Sequence, residues 1–287
     1  MPETNSPLHD FYKQRASSLI ERIEDARDHL TDEHVRRIRV GIKRLRSLYR
    51  LMEFIRPKQF KSRRHERAFR KLFKRAGQLR DIQLSKASID SIPLRGATAK
   101  RYARYLEKEE KKARKKLKKA LKKFHKRDLK KAGKLIQRIG VTVSPVKVDQ
   151  RLRTYIDREA AAIEVLQQAG QSTENTHQMR KHLKALIEVG TLLIQLAPDD
   201  ALEQLLTKAK QTQQQVGLWH DRVVWLDHLE AFIAADTEQP DDNTERLIAR
   251  QHQTANRQEK RVDQLMDNLT ILLNGLAPWR VGTDSNA

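Results

Sequence analysis

The stretch Val35–Met52, VRRIRVGIKRLRSLYRLM, predicts a helix with two neighbouring stripes. Its apolar residues recur at alternating spacings of three and four, the pattern of one buried helical face, and are Val35, Ile38, Ile42, Leu45, Tyr49 and Met52. Its cations Arg36, Arg39, Lys43, Arg46 and Arg50 follow one residue later, about 100° round the helix. Such a basic stripe points along the rim of a groove, where a polyanion would relieve the repulsion between its charges. Taken alone, the stripe fits equally well a solvated surface whose long side chains cover apolar neighbours.

The composition of the 287-residue chain predicts an all-α protein of the cytoplasm. Lys, Arg, Glu, Gln, Ala and Leu dominate, with 5% aromatic residues, 10 glycines and 8 prolines. The absence of cysteine excludes disulfides, thiolate metal sites and cysteine nucleophiles, and is typical of a reducing compartment. No apolar run has the length of a membrane span, and the N-terminus lacks the basic and apolar segments of a signal peptide.

The formal net charge of +22, with an isoelectric point near 10.2, predicts a polyanionic partner. This charge is unevenly distributed along the chain. Residues 1–140 contain 43 Lys and Arg against 16 Asp and Glu, whereas residues 141–287 contain 16 against 21. We therefore expect the first half to supply most of the basic surface.

Helical periodicity, capping residues and prolines predict four helices in each half of the chain. The predicted helices cover about 8–29, 32–56, 59–91 and 99–125, and then about 149–169, 174–196, 199–235 and 241–275. Thr31 or Asp32 is expected to cap the second helix, and Pro57 and Pro93 to end the second and third. The segment 134–148, with a glycine, a proline and several β-branched residues, is predicted to connect the halves. The last twelve residues are expected to fray.

Two spaced motifs recur in the two halves of the chain. The pattern R-x-x-R-x-x-x-K that begins at Arg36 corresponds to H-x-x-R-x-x-x-K beginning at His177, an offset of 141 residues. The pattern G-x-x-x-D that begins at Gly77 recurs at Gly217, an offset of 140 residues. Because both motifs recur in the same order on correspondingly numbered helices, the sequence predicts an internal duplication. Two four-helix units related by a pseudo-twofold axis would bring their second helices to a shared central face.

With these motifs the chain resembles the CHAD family of α-helical domains, which are named for their histidines and bind inorganic polyphosphate. The matching stretches are RIRVGIKRLRSL (Arg37–Leu48), GQLRD (Gly77–Asp81), HQMRKHLKAL (His177–Leu186) and GLWHD (Gly217–Asp221). The resemblance extends over nearly the whole chain and implies a single domain, 1–287, made of helical-bundle repeats at about 6–133 and 147–275. The repeats would surround a central basic groove or pore. The family's first histidine position holds Arg36 here, with His34 two residues away.

The ligand contacts that the resemblance implies are basic residues and histidines of both repeats. Together with flanking basic residues, the predicted polyphosphate-binding residues are Arg36, Arg39, Lys43, Arg46, Arg50, Lys74, Arg80, Arg114, Lys118, His177, Arg180, Lys184 and His220. Gly77 and Gly217 are expected to permit close helix approach, because glycine inside a helix costs about 1 kcal/mol relative to alanine. Asp81 and Asp221 are expected either to orient a neighbouring cation or to be solvated carboxylates.

The same residues leave three functions open. Polyphosphate has neither bases nor sugars, so its binder needs cations and hydrogen-bond donors and no stacking surface. The scarcity of aromatic residues favours this partner over single-stranded nucleic acid. A general RNA- or DNA-binding protein is the alternative, and charge alone supports both. A polyphosphate-processing enzyme would need acidic metal ligands near the groove.

The chain contains no Walker-type glycine loop, HExxH pair or clustered carboxylates. We therefore expect no catalytic residue, no metal ligand and no cofactor. The prediction is a non-enzymatic protein that binds inorganic polyphosphate in the cytoplasm, is targeted to polyphosphate granules and does not contact a membrane. The sequence predicts no oligomeric state and no preferred chain length of the ligand.

Overall fold

The fold of the chain is all-helical, as predicted. A computed structural model describes residues 6–91, 95–170 and 172–281, and every regular element within these ranges is a helix. The α-helices are α1 (Pro7–Asp28), α2 (Asp32–Ile55), α3 (Ser62–Ser91), α4 (Gly96–Lys122), α5 (Lys126–Thr142), α6 (Pro145–Gln168), α7 (Thr173–Leu196), α8 (Asp200–Ala235), α9 (Asp242–Asp267) and α10 (Leu269–Gly275). A single 3-10 turn, Ala277–Trp279, follows. None of the helices in these ranges combines the length and apolarity that crossing a membrane requires.

Helix α2 begins and ends where its sequence predicts. Thr31 Oγ1 accepts a hydrogen bond from the His34 backbone N–H at 3.2 Å, which satisfies a free amide at the helix N-terminus. The helix ends at Ile55, ahead of Pro57. All six residues of its predicted apolar stripe are fully buried, and each such burial contributes about 1.5–3 kcal/mol. The basic stripe, one residue further round, is thereby held at the edge of the core.

The segment between the two halves differs from the prediction. Residues 134–142 of the predicted connector belong to α5, and α6 begins at Pro145. Leu129, Ile136 and Ile139 are buried at helical spacings, so α5 packs against α1 with an amphipathic face. This burial outweighs the low helix propensity of Gly140 and of the β-branched residues that suggested a connector.

The C-terminal part of the chain also differs from the prediction in one detail. The last predicted helix, 241–275, is divided at Asn268 into α9 and α10. The helix end predicted at Pro93 and the last six of the residues predicted to fray lie outside the described residues.

The two halves of the chain contact each other through several helices, among them the second and third helices of each half. α2 packs against α6 and α7, and α3 packs against α8. Because α2 and α7 carry the two copies of the basic motif, the fold brings both copies to one interface. Contact between corresponding helices is what a pseudo-twofold axis would produce. The axis itself and the division into two repeats stay predictions.

Candidate functional site

A groove between α2 and α7 concentrates positive charge. It encloses about 480 Å³, and residues of α3 and α8 complete its walls. The cations that line it are Arg36, Arg39, Lys43, Arg44, Arg80, Arg180, Lys184 and Lys210. Two carboxylates, those of Glu188 and Asp221, line it as well, and among the described residues no aromatic side chain does. The groove is therefore a basic surface without a platform on which a base could stack.

Four of these cations are neighbours in the middle of the groove. Arg39 and Lys43 come from α2, and Arg180 and Lys184 come from α7. The members of each pair are four residues apart and so share one helical face. Within the described part of the chain, none of the four forms an ion pair with a carboxylate, and the buried Nε of Arg180 has no hydrogen-bond partner. The cluster therefore holds donors that an anion can use.

Crowding in the groove changes the acidity of its two central lysines. Loss of solvation, together with the charges of Arg39 and Arg180, lowers the pKa of Lys43 to about 8. Loss of solvation and the three neighbouring cations lower the pKa of Lys184 to about 7. Lys43 keeps contact with solvent through the open side of the groove, so water moderates the desolvation part of its shift. A bound anion would remove the repulsion and raise both pKa values.

A glycine makes room for each arginine of the cluster. A β-carbon at Gly77 would lie 2.5 Å from Arg39 Nη1, and one at Gly217 would lie 3.1 Å from Arg180 Nη2. The close approach expected at these glycines is therefore made by an arginine side chain of the preceding helix in the sequence. The two motifs of each half act together, because the second supplies the space that the first needs.

The aspartates of the same motifs lie beside these arginines. Asp81 attracts Arg39, and Asp221 attracts Arg180. Partial burial raises the pKa of Asp81, while the charge of Arg39 opposes that shift. Asp221 is exposed. The geometry fits an orienting role for Asp81 most directly, since it is the half-buried member of the pair.

His177 and His220 lie side by side where α7 contacts α8. Their ring centroids are 5.6 Å apart, and neither ring lines the groove itself. Loss of solvation lowers the pKa of both imidazoles, and the charge of Arg180 lowers both further. At neutral pH the rings are therefore held neutral beside Arg180, where each offers one N–H donor.

Two predicted residues of the α2 stripe are paired with carboxylates. Arg36 lines the groove, but it donates to Glu33 from Nε at 2.6 Å and from Nη2 at 2.7 Å. Arg46 lies outside the groove lining and donates to Glu66 at 3.0 Å. His34, the histidine nearest to the family position, is occupied in the cap of α2. Among the stripe cations of α2 that line the groove, these pairings leave Arg39 and Lys43 ready for an anion.

Four further predicted residues lie away from the groove. Arg114 donates to the Leu30 carbonyl oxygen at 2.8 Å and pairs with two carboxylates. Lys118 lies on the exposed face of α4, and the side chains of Arg50 and Lys74 are exposed. Of the remaining predictions, Arg80 does line the groove. A binding role for all thirteen residues stays a prediction.

Two cations of the groove, Arg44 and Lys210, were missed in the sequence. Lys210 precedes Gly217 by seven residues and Asp221 by eleven, so helical periodicity places it on the face of that motif and was the signal to use. Arg44 has no comparable signal. It falls outside the register of the basic stripe and reaches the groove because α2 packs against α7.

The chemistry available in the groove is that of anion binding. Guanidinium groups offer planar forks to oxyanions, and ammonium groups act as mobile point charges. Within the part of the chain that the structure describes, no group of three or more His, Asp or Glu side chains is arranged to hold a metal ion. The groove suits an elongated anion that can contact α2 and α7 at the same time.

Comparison with known proteins identifies the family. A family model described as the CHAD domain matches residues 13–230. A solved structure, the crystal structure of the CHAD domain from the plant Ricinus communis, is similar with a TM-score of 0.73 and 14% sequence identity, over 93% of this chain and 90% of that chain. A search of curated proteins found no match. Because the family model spans both copies of both motifs and most of the chain, the chain belongs to the CHAD family.

Proposed function

We propose that this chain binds inorganic polyphosphate along the groove and does not cleave it. The observation that carries the proposal is the cluster of Arg39, Lys43, Arg180 and Lys184, four cations from two helices without a carboxylate ion pair among the described residues. Holding like charges together costs free energy in the unliganded protein. A polyanion is the class of ligand that offsets this cost.

The lining of the groove favours a bare phosphate chain among polyanions. Its donors are guanidinium and ammonium groups on opposite walls, and each charge-assisted hydrogen bond to an oxyanion contributes about 1.5–3 kcal/mol. The described residues place no aromatic side chain there for a base to stack on. A chain of phosphates supplies repeated oxyanions at close spacing and needs no aromatic side chain to stack on.

Salt dependence tests the proposal directly. Each phosphate contact by a cation is expected to contribute about −0.7 to the slope of log affinity against log salt concentration, with single-stranded nucleic acid as the nearest analogue. Arg36 and Arg44 are engaged with Glu33 and Glu188, so at least six groove cations remain and the expected slope is about −4 or steeper. Isothermal titration of long-chain polyphosphate at several salt concentrations measures this slope. A slope near −1 would contradict binding by the cluster.

A binding protein and a processing enzyme are separated by phosphate release. We propose a non-enzymatic role in the cytoplasm, with polyphosphate as the partner, no cofactor and targeting to polyphosphate granules. Incubation with polyphosphate and Mg²⁺ or Mn²⁺ should release no more phosphate than the protein-free control. A fluorescent fusion should gather at granules, and the same fusion with Arg39→Glu and Lys43→Glu should not.

Nucleic acid is the competing partner because a second observation favours it. The exposed face of α4 presents a row of solvated lysines outside the groove, and such a surface attracts any polyanion. Competition of labelled polyphosphate by tRNA and duplex DNA at fixed salt decides between them. We expect weak competition per phosphate. Equal competition would favour the general nucleic-acid reading.

A further inference from the structure

A second basic cavity adjoins the groove. It encloses about 400 Å³, and residues of α1, α2, α7 and α8 line it. Its cations are Arg15, Arg22, Arg44 and Lys210. Arg15 and Arg22 belong to α1, which carries none of the repeated motifs. The basic surface therefore continues beyond the residues that the family motifs mark.

The groove and the second cavity share one wall. Arg44, Ile187, Glu188 and Lys210 line both of them. Among the described residues, Glu188 is the carboxylate that the two linings have in common, whereas Asp221 lines the groove alone. A negative charge thus stands between two positively charged segments.

Glu188 is held in that position by the surrounding cations. Its carboxylate lies 2.9 Å from Arg15 Nη2 and 3.9 Å from Arg44 Nε, and its side chain is 18% exposed. Lys210 is a third cation near it. Glu188 therefore partly neutralises the second cavity and is the charge partner that a phosphate would replace.

An anion that extends along the cations of the groove lies next to Glu188 at the wall shared with the second cavity. A short anion gains little by passing it, because the repulsion from Glu188 opposes the attraction of the cations beyond. A long chain already anchored in the groove presents its next phosphates to Arg15 and Arg44 at high effective concentration. Those phosphates can replace Glu188 as the anionic partner of both arginines.

We propose that Glu188 is a specificity-determining residue that divides the phosphate-binding surface into the groove and the second cavity, so that a polyphosphate long enough to reach both is bound in preference to a short one. This inference rests on the proposed function and names the ligand feature, chain length, that the site selects. Arg22, like Arg15, lines the second cavity alone, and among the described residues it is the one of the two without an ion pair. It does not line the groove, and the hydrogen bond that the structure gives it, to the Arg37 carbonyl oxygen, is long at 3.5 Å.

The test compares long-chain polyphosphate with tripolyphosphate in isothermal titrations of the full chain. Glu188→Gln should release the cations of the second cavity, so that a second tripolyphosphate binds and the preference for the long chain falls about tenfold. Arg22→Gln should weaken long-chain binding by about tenfold and leave tripolyphosphate binding unchanged. Glu164→Gln is the matched control, because Glu164 belongs to α6, pairs with Arg280 and lines neither cavity. It should retain the wild-type preference.

The outcomes separate this inference from the proposed function. If Arg22→Gln leaves long-chain affinity unchanged, or Glu188→Gln keeps the wild-type stoichiometry and preference, the two-segment site is refuted while polyphosphate binding stands. If wild-type protein binds neither ligand, both the proposed function and this inference are refuted. Should Glu188→Gln fail to fold in a thermal melt, the Arg22→Gln titration decides alone, since Arg22 has no ion pair to lose within the described residues.

Discussion

The groove between α2 and α7 and the exposed face of α4 are both basic, but they hold their cations differently. The exposed lysines of α4 include Lys111, Lys115, Lys118, Lys119 and Lys122. They project into water, where each charge stays hydrated and is screened by salt. The centre of the groove has fewer cations than this face of α4. Those cations lose solvation, and the ones on α2 repel the ones on α7.

The number of cations on a surface therefore differs from the free energy that each of them contributes to binding an anion. A polyanion on α4 replaces water and counterions that the lysines already have, so each contact contributes little. A polyanion in the groove also removes repulsion that the fold itself creates. We therefore expect affinity to follow the crowding of cations and not their number.

Reversal of charge in the groove should have the largest effect. Arg39→Glu with Lys43→Glu removes two charge-assisted contacts of about 1.5–3 kcal/mol each, so long-chain affinity should fall by about a hundredfold or more at about 1.4 kcal/mol per decade. The contrasting variant, Lys112→Glu with Lys116→Glu and Lys119→Glu, changes more charge on α4 and should cost less affinity. Titration of both variants, with circular dichroism to check helicity, makes the comparison. A larger loss of affinity in the α4 variant would show that the binding surface is α4 and not the groove.

The second half should contribute despite its excess of acidic residues. Arg180→Ala with Lys184→Ala takes both α7 cations from the groove and should weaken binding by at least about tenfold. Arg250→Ala with Lys260→Ala removes two exposed cations of α9 as a control and should have little effect. Equal affinities for the wild type and the α7 variant would leave the first half as the sole binding unit.

The pH dependence should distinguish crowded from solvated cations. Lys184 and Lys43 have pKa values of about 7 and about 8 in the free protein, and a bound anion raises both, so binding takes up protons. Affinity should be highest where both lysines are charged and should fall as the pH rises through 7 and 8, by up to about tenfold per pH unit for each proton taken up.

The same shifts act with the opposite sign on folding. Each lysine has a lower pKa in the folded chain than the usual value of about 10.4, so the unfolded chain binds more protons above pH 7. The free energy of unfolding of the free protein should therefore rise with pH over this range while affinity falls. Lys43→Arg with Lys184→Arg should flatten both curves, because arginine stays protonated. Unaltered curves in this variant would assign the pH dependence to other groups.

The smallest expected effect concerns the space that glycine leaves for arginine. Gly77→Ala places a β-carbon 2.5 Å from Arg39 Nη1, so the guanidinium must move and affinity should fall by about threefold. Alanine favours the helix by about 1 kcal/mol over glycine, so stability should not fall with it. Gly217→Ala, with a contact of 3.1 Å to Arg180, should have the weaker effect. The reverse order would show that the two glycines do not act through their arginines.

Much of the fold could be predicted because helical order is local. The apolar stripe of α2, its Thr31 cap and its end before Pro57 follow from spacings of a few residues along one helix. The pairing of Arg36 with Glu33 is also local, three residues apart, so the spacing of the two residues could have indicated it. Helix α5 was missed because its weak propensity is overcome by packing against α1, which no short window contains.

The sequence by itself determined that the chain is helical, that a basic motif and a glycine–aspartate motif each recur, and which family it belongs to. The tertiary structure decided which cations are available to an anion. Arg46 is paired with Glu66 across 20 positions of sequence, and Glu188 meets Arg15 across more than half of the chain. Backbone hydrogen bonds and periodic burial act between near neighbours along the chain, whereas electrostatic pairing depends on distance in space. The sequence therefore predicts which helices carry the cations. The packing of α1, α2, α7 and α8 decides which of those cations remain available to an anion.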